Sequence, residues 1–234
     1  MNDRYTSGQY LNDNPDWHEQ DSVWKAQMIE RMLIRHNLSM TRICEVGCGT
    51  GLILATLQTK LNGSAEFFGY DISPQAIERA QKRSNEHLHF YCKDIRQEAG
   101  LLFDLLLLMD VIEHLEDPYQ FLRDLQSLSK HTLLHIPLDL SVQSIMRVRP
   151  ILKQRSTVGH LQYFTKETAL ALLDDVGYEV VDWFYTGAAM EGKSYSILSW
   201  LARIPRRILF ALNQDWAVRW LGGYSLMILV RPKK

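Results

Sequence analysis

Glu45, Gly47, Gly49 and Gly51 stand at alternate positions in the stretch ICEVGCGTGLIL, residues 43–54. Glycine costs conformational entropy, so such a cluster means a sharp backbone turn or the close approach of something else. The acid narrows what approaches. A pyrophosphate is dianionic and wants bare amides at a helix N-terminus, and a dinucleotide fingerprint spaces its glycines G-x-G-x-x-G. Here the third glycine comes one residue early, and a carboxylate precedes the first by two. That carboxylate repels a pyrophosphate and welcomes an amino group. The pattern E-x-G-x-G-x-G therefore suits a ligand with an ammonium and a bulky, close-packed sulfur or sugar portion.

Further acids follow at the ends of later apolar runs. Asp71 comes 20 residues after Gly51 and can accept hydrogen bonds from both hydroxyls of a ribose. Asp94, in HFYCKDI, is placed to meet an adenine amino group, and Asp110 ends the run in DLLLLMDVIEHLEDP. Taken singly, each reads equally well as a helix cap or loop acid. Together, carboxylates at the ends of successive strands repel one another without a ligand. His114 and His160 are candidates to take a proton from an acceptor, because imidazole titrates near neutral pH. His135, inside an apolar run, reads instead as a satisfied core histidine. Asp110, Glu113 and His114 have metal-like spacing, but three such residues within one turn are a common accident at a helix start. No metal is expected.

These residues need elements to hold them. Residues 43–46, 67–70, 88–92, 105–109, 132–136, 178–185 and 224–230 read as strands. Residues 52–61, 74–84, 118–128 and 166–175 read as helices, with Ser73 as a cap and Pro74 at a first helical position. Trp24, Met28, Met32 and Leu38 recur at helical spacing and predict a leading helix over 20–38. The alternation implies an α/β fold: a doubly wound, Rossmann-like sheet, mostly parallel, with helices on both faces. Ligands bind such a sheet outside the carboxyl ends of its strands, where the glycine loop and the acids fall.

Two stretches depart from the alternation. Residues 138–165 carry little regular pattern but hold Arg147, Arg149, Lys153, Arg155, His160 and Tyr163. Residues 194–213 form a basic, apolar helical stretch broken at Pro205, and only the loop 220–223 separates it from the last strand. No crossover helix fits in that loop, so the last strand is expected to be antiparallel, with a helical cap inserted before it. The whole chain is expected to be one domain: an N-terminal helical cover (1–40), a ligand-binding core (43–137) and cap elements (138–165 and 187–222).

Bulk properties exclude several classes. The chain of 234 residues is 46% apolar and 23% charged, with a formal net charge of −1 that gives no reason to expect a nucleic-acid partner. The N-terminal MNDRYTSGQYLNDNPDWHEQ is polar and acidic, unlike a secretory signal. The longest apolar runs fall short of the roughly 20 residues of a membrane span. Cys44, Cys48 and Cys92 make an odd count without a CxxC pair, and the first two read as small buried fillers beside the glycine turn. A cytoplasmic enzyme is the default expectation.

Residues 43–185 resemble class I S-adenosylmethionine-dependent methyltransferases, and within them the small-molecule branch that includes ubiquinone-biosynthesis O-methyltransferases and glycan-cluster methyltransferases. Glu45, Gly47, Gly49 and Gly51 match the first family motif, Asp71 the ribose-binding acid, and Asp94 with Ile95 the adenine-contacting pair. FDLLLLMDVIEHLEDP matches the fourth motif, and GHLQYFTKETALALLDDVGYEVV the segment leading into the sixth strand. The resemblance implies that S-adenosyl-L-methionine binds through Glu45, Gly47, Cys48, Gly49, Gly51, Asp71, Ile72, Asp94, Ile95, Met109 and Asp110, with S-adenosyl-L-homocysteine as product. It implies methyl transfer to a small-molecule or lipid-linked acceptor at oxygen. Members that methylate nucleic-acid amino groups carry Asn- or Asp-Pro-Pro-aromatic where this chain reads Asp110-Val111-Ile112-Glu113, which disfavours base methylation. A catalytically silent S-adenosylmethionine-binding module and a dinucleotide-dependent oxidoreductase or epimerase are the alternatives. The intact motifs speak against the first, and Glu45 with the early third glycine against the second.

Charge is unevenly shared. From Lys193 to Lys234 eight Lys or Arg residues face one acid, Asp215. Arg203, Arg206 and Arg207 lie beside Ile197, Trp200, Leu201, Leu209 and Phe210. Such an element reads either as a lid over the acceptor site or as a peripheral membrane contact through 194–213. The acceptor and the oligomeric state are not legible in the sequence.

Overall fold

The computed structural model describes residues 19–61, 65–98, 100–187 and 206–233. Seven strands form one sheet: β1 (Arg42–Val46), β2 (Glu66–Asp71), β3 (Leu88–Cys92), β4 (Phe103–Met109), β5 (Ser129–Pro137), β6 (Tyr178–Thr186) and β7 (Ser225–Pro232). Their order is β3-β2-β1-β4-β5-β7-β6. The strands β1 to β5 pair in parallel, whereas β7 runs antiparallel to both β5 and β6, as the short loop before it predicts.

β4 is central because its sequence, FDLLLLM, has apolar residues for both faces. Successive side chains of a strand point to opposite faces. Leu106 and Leu108 pack with Leu122, Leu172 and Leu173 on one side, and Leu105 and Leu107 with Ile29, Leu54 and Leu57 on the other. Helices α1 (Glu19–Arg35), α2 (Leu52–Lys60) and α3 (Pro74–Gln81) cover the second side; α4 (Pro118–Leu125) covers the first. Helix starts follow their caps. Ser73 Oγ accepts from the Ala76 amide at 3.4 Å with Pro74 first in α3, and Asp117 accepts from the Gln120 amide at 2.9 Å with Pro118 first in α4.

The stretch 138–165 differs from its expected irregularity. It contains α5 (Val142–Arg147) and α6 (Arg149–Thr157), which meet at Val148 in a left-handed conformation (φ +56°). That is an outlier for a β-branched residue. α6 buries none of its residues, so no apolar stripe advertises it. Next come α7 (Lys166–Asp175), opened by a Thr165–Thr168 capping box, a helical stretch over residues 206–212, and α8 (Gln214–Leu221). Residues 1–18 of the expected N-terminal cover and 188–205 of the expected cap, Pro205 included, lie outside the described residues.

One aromatic ring explains two glycines. A Cβ on Gly69 in β2 would lie 2.4 Å from Phe90 Cδ1, and one on Gly51 would lie 2.3 Å from Phe90 Cζ. Gly69→Ala should therefore overpack the β2–β3 face and cost about 1–3 kcal/mol. Urea unfolding should show a lower midpoint at unchanged slope; an unshifted midpoint would mean that β3 yields freely.

Candidate active site

After Val46 the chain turns through Gly47–Gly51 into α2. Gly49 takes a left-handed conformation (φ +53°), which lets its amide donate to Asp71 Oδ2 at 2.9 Å. Asp71 Oδ1 accepts from the Ser73 amide at 2.8 Å. The carboxylate ending β2 thus ties together the loops that follow β1 and β2. An ionised carboxylate offers about four lone-pair sites, so the amides leave part of it to a ligand. Burial raises the Asp71 pKa, against the amide bonds that lower it.

The loop, the ends of β2 and β4, the turn after β3, and α1 enclose a cavity of about 740 Å³. That size lies within the range of small-molecule sites. Glu45, Gly47, Cys48, Gly49, Asp71, Ile72, Asp94, Ile95, Met109, Asp110, His114 and His160 all line it. Gly51, expected against the ligand, is not among the lining residues. It caps α2 at φ +74° and makes room for Phe90 instead. Asp94 lies two residues past the end of β3, and its carboxylate is gripped by Arg96, with Nη2 at 2.6 Å. Against the effect of partial burial, Arg96 holds it below the ordinary carboxylate range.

The acids divide by their partners. Asp110 has a left-handed backbone (φ +57°) and donates its amide to the His135 carbonyl at 3.0 Å. Its Oδ1 lies 2.5 Å from His135 Nδ1, and its Oδ2 lies 2.6 Å from Lys25 Nζ on α1. His135 Nε2 in turn reaches Thr186 Oγ1 at 2.9 Å, so this is the satisfied core histidine expected from its apolar run. Burial alone would raise the Asp110 pKa, but His135 and Lys25 hold it well below the carboxylate range. Glu45 is 1% exposed, and its Oε2 has no hydrogen-bond partner. Burial pushes its pKa well up, with Lys25 opposing and Asp71 adding. Glu113, in the single 3₁₀ turn Ile112–His114, is fully buried; neither carboxyl oxygen has a hydrogen-bond partner, and Oε1 lies 4.0 Å from His114 Nε2. Burial, then the Asp110 charge, raises it too.

The two candidate histidines come together. The His114 and His160 rings stand edge to face with centroids 5.0 Å apart. His160 Nδ1 lies 2.6 Å from Asp139 Oδ2. Among the described residues, the donor set with metal-like spacing is Glu113, His114 and His160, with ligand atoms within 4.8 Å of one another. Asp110, which the sequence spacing groups with Glu113 and His114, is committed to Lys25 and His135.

Lys25 and Asp139 escape the sequence reading, though each leaves a signal. Asp21 and Lys25 are one helical turn apart and both line the cavity, beside the buried Ala26 and Ile29. Asp139 follows the β5 run in HIPLDL, the same position after a strand that picks out the other acids.

A sheet ordered 3-2-1-4-5-7-6 with an antiparallel seventh strand, and a cavity beyond the ends of β1, β2 and β4, defines the class I S-adenosylmethionine-dependent methyltransferase fold. Residues 17–182 match the family model described as a methyltransferase domain, and the chain belongs to that family. It is similar to the ubiquinone biosynthesis O-methyltransferase of Ruegeria sp. (strain TM1040), 28% identical over 156 residues, covering 60% of this chain and 61% of that protein. The enzyme of the same description from Ruegeria pomeroyi is 27% identical over 183 residues, covering 72% of this chain and 69% of that one. The chain thus spans 61% of the first relative's length and 69% of the second's. Among solved structures, magnesium protoporphyrin IX methyltransferase from Synechocystis PCC 6803, with bound S-adenosylhomocysteine, superposes with a TM-score of 0.59 at 17% identity. The superposition covers 94% of this chain and 86% of that one.

The buried Glu45 makes a testable demand on stability. A carboxyl whose folded-state pKa is raised stabilises fully below its unfolded value and loses that contribution as pH rises through the folded value. Glu45→Gln, which mimics the neutral acid, should therefore raise the stability of the ligand-free protein at pH 8 by about 1 kcal/mol or more. The gain should shrink toward pH 4.5. Urea unfolding at both pH values checks this; an equal offset at both would contradict it.

Proposed function

We propose that this methyltransferase uses S-adenosyl-L-methionine to methylate a small-molecule acceptor at oxygen, working as one domain. The observation that carries the proposal is the buried, unpartnered Oε2 of Glu45 beside the Gly47–Gly49 backbone. Buried polar atoms are almost always paired, and the ammonium of a methionine moiety would supply the missing donor. Lys25, in the same cavity, would suit its carboxylate. The spare lone pairs of Asp71 would hold the ribose hydroxyls, and Ile72, Asp94 and Ile95 would flank the adenine. Cys48, Met109 and Asp110 would line the remaining wall.

When bound, S-adenosylmethionine supplies a methyl group already activated for in-line displacement. The chain's own task is then to align the acceptor and take its proton. His114 and His160, side by side on the cavity wall, are the groups for that. The low-identity ubiquinone O-methyltransferase relatives support oxygen as the methylated atom.

Titration calorimetry should show S-adenosylhomocysteine binding at roughly micromolar Kd, about −8 kcal/mol. Asp71→Ala removes both the ribose acceptor and the tie to Gly49, and should weaken binding at least ~10-fold, since a hydrogen bond to a charged group is worth about 1.5–3 kcal/mol. Gly49→Val should abolish it. No heat with this ligand but tight binding of NAD would overturn the proposal.

The acceptor is proposed to meet the enzyme at a membrane surface, in the cytoplasm. No helix among the described residues is long and apolar enough to cross a membrane. Of the stretch 194–213, residues 194–205 lie outside the described residues. The described neighbours support a peripheral contact: Ile145, Met146 and Leu152 of α5 and α6 are exposed, as are Leu212, Trp216 and Trp220. Residues 140–158 contain Arg147, Arg149, Lys153 and Arg155 and no acid. α5 packs against α8, Arg206 donates to Gln143 at 3.3 Å, and Gln154 of α6 lines the cavity. Apolar burial with attraction to anionic lipid would hold such a face at the interface. Vesicles rich in phosphatidylglycerol should pellet the protein at low salt and release it at high salt. Absence of pelleting at low salt would reject the membrane contact and leave these elements as a lid.

A further inference from the structure

A second hollow adjoins the cavity, and its lining is cationic. Arg147, Arg149, Pro150 and Lys153 surround an open notch of about 450 Å³ where α5 meets α6. Val148, left-handed between the two helices, brings the last residue of α5 and the first of α6 to the same notch. Arg149 and Lys153 are four residues apart and so share a face of α6. The adjoining row of that helix joins the two hollows: Pro150 lines the notch, while Gln154 and Val158 line the cavity. One helical turn rises about 5.4 Å, so the notch begins about one turn from the cavity wall. α6 then ends in the site itself. The Gly159 amide donates to the Gln154 carbonyl at 3.0 Å, and the next residue, His160, lines the cavity.

The charge of the notch is unanswered. Among the described residues, the side chains of Arg147, Arg149 and Lys153 make no ion pair and no hydrogen bond. Cations elsewhere on the surface are paired: Arg96 with Asp94, Lys130 with Asp104, Arg219 with Glu167 and Arg231 with Glu179. Residues 140–158 offer no acid that could do the same here. Three like charges around one hollow repel one another, and an anion between them removes that cost. The forks of two guanidinium groups each match a pair of phosphate oxygens, and the lysine ammonium adds a point charge. A phosphate ester brings about −1.5 to −2 charges and three acceptor oxygens, against the single charge of a carboxylate. It is the better match to three cations.

Resting on the methyl-transfer reading above, we propose that this notch is a phosphate-binding subsite and that the acceptor is a phosphate ester. Its hydroxyl-bearing head enters the cavity, and its phosphate is held by Arg147, Arg149 and Lys153. Gln154, one turn along α6 from Pro150, faces the span between them. Ile145, Met146 and Leu152 are exposed on the same two helices and suit an apolar portion beyond the phosphate.

The probe is inorganic pyrophosphate, titrated into the ¹⁵N-labelled full chain with S-adenosylhomocysteine bound, in about 50 mM salt so that screening stays moderate. Amide and arginine side-chain signals of residues 147–153 should shift and saturate with a Kd of about 1 mM or tighter. Arg149→Gln should weaken this binding about fivefold or more, as loss of a charged hydrogen-bonding group does. Arg155→Gln removes the same charge from the same helix but outside the notch, and should leave the Kd within about twofold. α6 buries none of its residues, so neither exchange disturbs the core. No saturable shift, or equal weakening by both variants, would overturn the proposal. Phosphatidylglycerol vesicles separate the acceptor's phosphate from that of a bilayer lipid. Pelleting lost selectively in Arg149→Gln would assign the notch to lipid headgroups and overturn the acceptor reading; pelleting that is equal in the two variants, or absent in both, supports it. Failure of the wild type to bind S-adenosylhomocysteine would instead strike the methyl-transfer reading.

Discussion

Glu45, Asp71, Asp110 and Glu113 are among the acids that line one cavity, and the pairing of Lys25 with Asp110 bears on how their charge is held. Asp110 stays ionised because Lys25 and His135 flank it. Glu45 and Glu113, without a hydrogen-bonded cation of their own, are pushed toward the neutral form. The same contact joins the leading helix to the sheet. From Lys25 on α1 the line runs through Asp110 after β4 and His135 on β5 to Thr186 at the end of β6. The pair is only partly buried, with the Asp110 side chain 29% exposed, so losing one partner costs less than the about 3–5 kcal/mol typical of a fully buried ion pair. The pair thus links the charge balance of the cavity to the docking of the leading helix.

Two other contacts serve fold and site together. Asp71 spends part of its carboxylate on Gly49 and Ser73, so a residue suited to a ribose also sets the glycine loop. Phe90 fills the space left by Gly51 and Gly69, so part of the glycine pattern belongs to packing behind the loop rather than to the ligand.

Much of this was legible in the sequence, for identifiable reasons. The LLLL run of β4, the Ser73-Pro74 cap and the short loop before β7 each carry a local physical signature, and the sheet follows from them. The acids after strands were legible because the cavity of such a sheet lies at its carboxyl edge. Residues that act across the fold were not. Lys25 looks like one more cation on an amphipathic helix until Asp110 is placed against it. α5 and α6 were hidden because one is only six residues long and the other buries nothing, with Val148 between them and Pro150 in the first turn of α6. Gly51 was assigned to the ligand because spacing cannot distinguish a glycine that clears a ligand from one that clears a phenylalanine ring.

Burial holds Glu45 toward its neutral form, and pairing with a cationic ligand group would ionise it. Calorimetry of S-adenosylhomocysteine binding at neutral pH, in buffers of different ionisation enthalpy, counts the protons exchanged on binding. Pairing of the ligand's ammonium with Glu45 should release protons from the wild type, giving an observed enthalpy that varies with buffer, and the Glu45→Gln variant should lose that release. A wild-type enthalpy independent of buffer, or a release unchanged in Glu45→Gln, would show that the ligand's ammonium does not pair with Glu45.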